Sequence, residues 1–173
     1  MSAPATYVLD ANVFMEAHRR YYHMEICPGF WEVLAEHGPE RLISIDKVKD
    51  EILAGDDLLK DWVKATIVET HFAATDDLAV LGHYRDLMRS VQANPHYLDR
   101  AKAEFATVAD GWIAAYAKAN GAKVVTHEEF DANIKKRVKL PNICRELGVE
   151  TIDTFALLRD LEAKFVWLRE AEA

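Results

Sequence analysis

Four short apolar runs set the architecture: Tyr7-Val8-Leu9, Arg41 to Ile45, the VVT of AKVVTHEEF, and LGVETID. Sequence with helical periodicity separates the first three runs, and a basic run, residues 133–140, precedes the last. Uninterrupted β-rich runs of this length suit strands buried on both faces, and strands joined through helices run parallel. The alternation predicts an α/β fold, a doubly wound Rossmann-like parallel sheet of four to five strands flanked by helices. Ligands of such a sheet bind outside the carboxyl ends of its strands.

Between the strands, PGFWEVLAEHG reads as a helix stopped near Gly38. DKVKDEILAG reads as a second helix, capped by Asp46 and ended by Gly55. From about residue 56 to about residue 105 the pattern is helical, with no strand expected. LLKDWVKATIV is amphipathic there, and Leu78, Leu81, Tyr84, Met88 and Val91 recur at three- and four-residue steps as one apolar stripe. Asn94-Pro95 breaks that helix and YLDRAKAEF forms a short one. This middle reads as a helical insertion between two halves of the sheet. ATVADGWIAAYAKAN is a helix closed by Gly121, and TFALLRDLEAKFVWL is the last. Without repeats or a Gly/Ser linker, residues 1–173 read as one domain.

Hydrophobic residues make up 50% of the chain, enough for a core without staples. Cys27 and Cys144 form no CxxC pair and read as free thiols. No basic-then-apolar leader and no run of ~20 apolar residues occurs, so a soluble, cytoplasmic protein without membrane contact is expected. The net charge of −8 speaks against a generic nucleic-acid binder. That objection weakens where acids gather around a bound cation, which inverts the local field, or where a basic partner covers them.

Four acids fall where the fold makes them meet. Asp10 ends strand one, Glu51 lies in the helix after strand two, Asp110 opens the Ala-rich helix, and Glu128 follows VVT. Two carboxylates ~4 Å apart repel by about 4 kcal/mol at an effective dielectric of 20. A proton or a cation must relieve this, and an all-oxygen site suits Mg²⁺ or Mn²⁺. Spacing alone leaves a second reading open: Asp46, Asp110 and Asp153 as helix caps, with the rest as solvated surface. Lys135, Lys136, Arg137 and Lys139 are either a solvated face or phosphate-gripping cations, and Arg19 and Arg20 likewise. Tyr21, Tyr22 and Trp112 either pack in the core or stack on unpaired bases. His127 adjoins the acid rim as a surface residue or a phosphate contact. HExxH, GxSxG and P-loop signatures are lacking.

YVLDANVF, ISIDKVKDEI, ADGWIAAYAKANGAKVVTHE and LPNICRELGVETIDTFALL together resemble PIN-domain proteins over roughly residues 6–160, most closely an uncharacterised bacterial branch. The resemblance implies a metal-dependent endoribonuclease using Mg²⁺ or Mn²⁺, with RNA as substrate. It also implies the toxin role of a toxin–antitoxin pair, an antitoxin partner of DNA-binding type, and a homodimer among the assemblies to expect. By motif, Asp10, Glu51, Asp110 and Glu128 match the catalytic and metal-binding acids, and Asn12 the polar residue that orients the first. The substrate-binding set is Asn12, Thr126, Lys135, Lys136 and Arg137. The family's fourth acid is commonly Asp, so Glu128 departs from the pattern, with Glu129 and Asp131 as substitutes. Two other readings stand beside this one. One is a catalytically silent PIN fold used as an interaction module. The other is a phosphatase using Asp10 as nucleophile, disfavoured because Asp10-Ala11-Asn12 lacks a second acid two residues on.

Overall fold

The computed structural model describes residues 5–66 and 71–166. Five strands, β1 (Tyr7–Leu9), β2 (Leu42–Ile45), β3 (Phe72–Ala73), β4 (Lys123–Val125) and β5 (Thr151–Ile152), form one sheet in the order β3-β2-β1-β4-β5. Every pairing is parallel, with Tyr7 opposite both Leu42 and Lys123 and Leu9 opposite Val125. The expected α/β, Rossmann-like fold is the one observed. From central β1 the chain steps outward to β2 and β3, then returns past β1 to β4. The sheet therefore changes direction beside β1, where open α/β sheets form their ligand crevice.

Helices fill the crossovers. α1 (Ala11–Glu16) continues into a π-helical turn, Ala17–Tyr21, and α2 (Pro28–His37) follows. α3 (Asp46–Ala54) and α4 (Leu58–Thr66) link β2 to β3; α5 (Leu78–Ala93), α6 (Asp99–Phe105) and α7 (Asp110–Asn120) link β3 to β4. α8 (Leu140–Leu147) precedes β5 and α9 (Thr154–Asp160) follows it. Side chains from both halves of the sequence, including Val8, Phe30, Ile45, Leu87, Ile113, Val124 and Leu157, share one core cluster. No described helix is long and apolar enough to cross a membrane. Cys144 is a buried free thiol and Cys27 a half-buried one.

Several local expectations change. The helical middle holds a strand after all: β3, two residues at the sheet edge, too short to carry a period-two signal. Nor does that middle stand apart, since α5 lies along α7, with Tyr84 stacked on Trp112 at 3.6 Å between ring centroids. This contact turns α5 off the expected stripe. Val80, Leu87 and Val91 are buried, while Leu78 is 85% exposed and Leu81 39%. Val80, Tyr84, Leu87 and Val91 obey the same spacing, and packing against α7 selects them. Leu87→Ala should accordingly destabilise the fold by about 3 kcal/mol and Leu78→Ala by less than about 0.5, read from urea midpoints.

Asp46 is the first residue of α3 rather than its cap. Its carboxylate accepts from Thr75 Oγ1 at 2.9 Å, tying the segment after β3 to α3. Asp77 and Asp153 are caps, accepting from the Ala79 and Ala156 amides. The last helix stops at Asp160, with Glu162 at φ 56°, short of the expected end; Trp167 and Leu168 lie outside the described residues. So do Ile67 and Val68, at the expected end of α4.

Candidate active site at the carboxyl edge of the sheet

Strand ends place the first two groups. β1 stops at Leu9, whose carbonyl accepts from Ser44 Oγ at 2.7 Å, and Asp10 follows, its N–H donating to Val125 O at 3.0 Å. Thr126 follows β4 in the same way. Asp10 and Thr126 are 7% and 3% exposed, and the Thr126 hydroxyl donates to Asp10 Oδ2 at 2.8 Å. Its oxygen in turn accepts from Asn12 Nδ2 at 3.1 Å and from the Glu128 amide at 3.2 Å. Asn12 Oδ1 takes the His127 N–H at 3.1 Å, and the His127 ring lies 3.0 Å from Thr154 Oγ1. Asn12, expected to orient the first acid, reaches Asp10 through the Thr126 hydroxyl. Thr126, expected to touch substrate, is spent inside this network, with its proton and both lone pairs engaged.

Asp110 is the first residue of α7, behind Ala109. A Cβ on the neighbouring Gly111 would come within 3.0 Å of the Tyr84 ring and 3.2 Å of Phe105, so glycine lets this turn press against α5 and α6. Glu51 reaches the site from α3. Asp10, Glu51, Asp110 and Glu128 all line one cleft of about 540 Å³. The four acids predicted from sequence share a site.

Burial, joined for Asp10 and Asp110 by neighbouring charge, shifts three of them. Burial pushes Asp10 up to about 6; Glu128 and Glu51 push the same way, and the Thr126 hydrogen bond opposes them. Asp110 rises to about 7, through burial first and then the charges of Asp10 and Glu128, with Arg137 pulling back. Lost hydration raises Glu51 as well. Behind the cleft, burial together with the charges of Asp110 and Asp10 lifts the Cys144 thiol to about 12, leaving it a neutral wall. Among the described residues no three His, Cys, Asp or Glu side chains close into a ready-made metal cage. The shared cleft instead offers Asp10 and Asp110 as a carboxylate pair with hard oxygen donors, a set that fits a divalent cation such as Mg²⁺ or Mn²⁺.

The other candidates separate. Arg137 lines the cleft, its Nη2 2.6 Å from Glu128 Oε1. Lys135 and Lys136, expected beside it in substrate binding, are exposed and are not among the residues lining the cleft. Lys139 donates to the Glu129 main-chain O at 2.7 Å and Asn142 bonds the Asp131 main chain, and neither substitute acid is among the residues lining the cleft. Arg19 and Arg20 are exposed, Arg20 pairing with Glu16 at 3.0 Å; Tyr22 stacks on Phe30. One basic cleft residue escaped the sequence reading, and Trp112 was read only as a core or base-stacking residue. Lys47, one turn before Glu51 on α3, lines the cleft with its Nζ 5.6 Å from the Trp112 ring centre, and Trp112 lines it too. The i, i+4 spacing of Lys47 and Glu51 was the available signal.

A search of curated proteins finds no match to the chain. A family model described as "Domain of unknown function (DUF4411)" matches residues 7–165, nearly the whole of the fold, and the chain belongs to that family.

Proposed function

We propose that the protein is a metal-dependent endoribonuclease that hydrolyses RNA phosphodiester bonds, with Asp10 and Asp110 holding Mg²⁺ or Mn²⁺. One observation carries this reading. Two acids, one of them deeply buried, stand in one open cleft at the sheet's carboxyl edge, and burial and like charge hold both well above the usual carboxylate range. A stability-driven fold has no use for such a pair. The resemblance to PIN-domain nucleases supports the choice of substrate, and with it a toxin role and a DNA-binding antitoxin partner.

When bound, the cation supplies charge neutralisation at a phosphate oxygen and at the departing alkoxide. The chain's own groups do the rest. Thr126 and Asn12 fix Asp10. Glu51, at the cleft wall and raised in pKa, is placed to accept a proton from water. Arg137 and Lys47 bring positive charge to an otherwise acidic cleft. Attack by water with loss of the 3′-oxygen leaves 5′-phosphate ends. The test is incubation of purified protein with total RNA in Mn²⁺ or in EDTA. Mn²⁺-dependent fragments bearing 5′-phosphates are expected, and intact RNA under both conditions contradicts the proposal.

The basic run sharpens it. Because Arg137 alone of the three lines the cleft, Arg137→Ala should weaken RNA binding and lower the log–log salt slope by about 0.7. Lys135→Ala with Lys136→Ala should leave cleavage at saturating RNA within about twofold. Equal losses from both variants would return the run to nonspecific attraction.

A non-catalytic interaction module is the second reading, favoured by the lack of a closed three-ligand cage among the described residues. It predicts no Mn²⁺ binding at millimolar concentration.

A further inference from the structure

Glu128 differs from its neighbours in having a cation of its own. Besides Arg137 at Oε1, its Oε2 accepts the Leu140 main-chain N–H at 3.1 Å, and the side chain is 13% exposed. Among the described residues neither Asp10 nor Asp110 forms an ion pair. The extra methylene of glutamate finds its use here, spanning from the Thr126-linked turn to both the start of α8 and the guanidinium.

The segment bearing Arg137 is pinned on each side. Leu98 N–H donates to Lys135 O at 3.0 Å, and the His96 ring nitrogen lies 2.9 Å from Ile134 O. Asn142 exchanges hydrogen bonds with the Asp131 main chain at 3.1 and 2.8 Å, and Val138 is buried at 2%. Arg137 is therefore held over the cleft rather than trailing in solvent. Its guanidinium carries five N–H donors, more than Glu128 engages, and the side chain remains 55% exposed. A planar fork of this kind matches phosphate oxygens. A dication placed on Glu128 would face that guanidinium at close range, like charge against like.

We infer that Glu128 is a positioning residue rather than a metal ligand, and that it holds Arg137 in the cleft to bind a backbone phosphate of the nucleic acid. This rests on the nuclease reading and keeps its metal site on Asp10 and Asp110, without Glu128.

The test uses the full chain and two readouts that need no turnover. Mn²⁺ affinity is measured by calorimetry on the parent, Glu128→Gln, Arg137→Ala, Arg137→Lys and Asp10→Asn. Binding of a fluorescein-labelled single-stranded RNA 12-mer is followed in EDTA for the parent, Glu128→Gln, Arg137→Ala, Arg137→Lys and the Glu128→Gln/Arg137→Ala double variant. Glu128→Gln and Arg137→Ala should keep Mn²⁺ affinity within about twofold, while Asp10→Asn loses at least about tenfold. Both should weaken RNA binding, by about tenfold for Arg137→Ala, with the double variant no worse than Arg137→Ala. Arg137→Lys should recover part of the loss and keep the Mn²⁺ affinity, so it remains informative should Glu128→Gln fold poorly. Loss of Mn²⁺ binding in Glu128→Gln to the extent seen in Asp10→Asn, or additive RNA losses, overturns the inference while leaving the nuclease reading intact. A parent that binds neither Mn²⁺ nor RNA overturns both.

Discussion

Asp10→Asn should lower the proposed Mn²⁺-dependent RNA cleavage by about a thousandfold, some 4 kcal/mol of transition-state stabilisation, while making the metal-free protein more stable at pH 8. The sign follows from the raised pKa. Asp10 moves from 3.8 to about 6 on folding, so the native state prefers the protonated carboxyl. The stability this confers is complete below about pH 4 and is lost as the pH rises through about 6. Asp110, raised to about 7, extends the loss to higher pH. Two units correspond to roughly 3 kcal/mol, the ceiling on what asparagine recovers above that window. Urea unfolding at pH 5 and pH 8 checks it: the parent should weaken between the two and Asp10→Asn should weaken less. Millimolar Mn²⁺ should reverse the ranking at pH 8, because the parent gains more from binding. A variant that cuts RNA at the parent rate takes Asp10 out of the chemistry.

Thr126→Val has the largest expected effect on the fold around the site. The hydroxyl joins Asp10, Asn12 and the Glu128 amide, all at 2.8–3.2 Å, and valine fills its volume while abandoning three partners. Leaving buried polar groups unpaired costs about 1–3 kcal/mol each, and relaxation and water recover part, so a loss of about 2–4 kcal/mol is expected. Losing its side-chain donor also lifts Asp10 further above 6, so half-maximal Mn²⁺ binding moves to higher pH. Thr126→Ser should restore both properties. Unchanged unfolding in Thr126→Val would mean that water replaces the hydroxyl at no cost.

Four of the five strands were legible because helical sequence separates the first three apolar runs, and parallel strands leave that pattern and few others; α8, before β5, went unread. The acids were legible as a group for the same reason: Asp10 and Glu128 flank strand ends, and the topology brings those ends together. What the sequence reading lacked was pairing. Nothing in Lys135-Lys136-Arg137 tells which side chain turns toward the cleft; a backbone hydrogen bond from Leu98, distant in sequence, and the hold of the Asn142 side chain on the Asp131 main chain decide it. Thr126 stood in the expected substrate-binding set, yet a hydroxyl between two strand ends is consumed by them. α1 went unread as a helix although Ala11, Phe14 and Ala17 recur at three-residue steps and are buried. β3 and the inward face of α5 depend on packing alone.

The most direct test is calorimetric titration of Mn²⁺ into the parent, Asp10→Asn and Asp110→Asn at pH 8, where both carboxyls of the parent are largely ionised. Binding by the parent that each variant weakens at least about tenfold is the predicted result, each carboxylate contributing on the order of 1.4 kcal/mol or more. Equal Mn²⁺ binding by all three proteins would contradict a cation site built on Asp10 and Asp110.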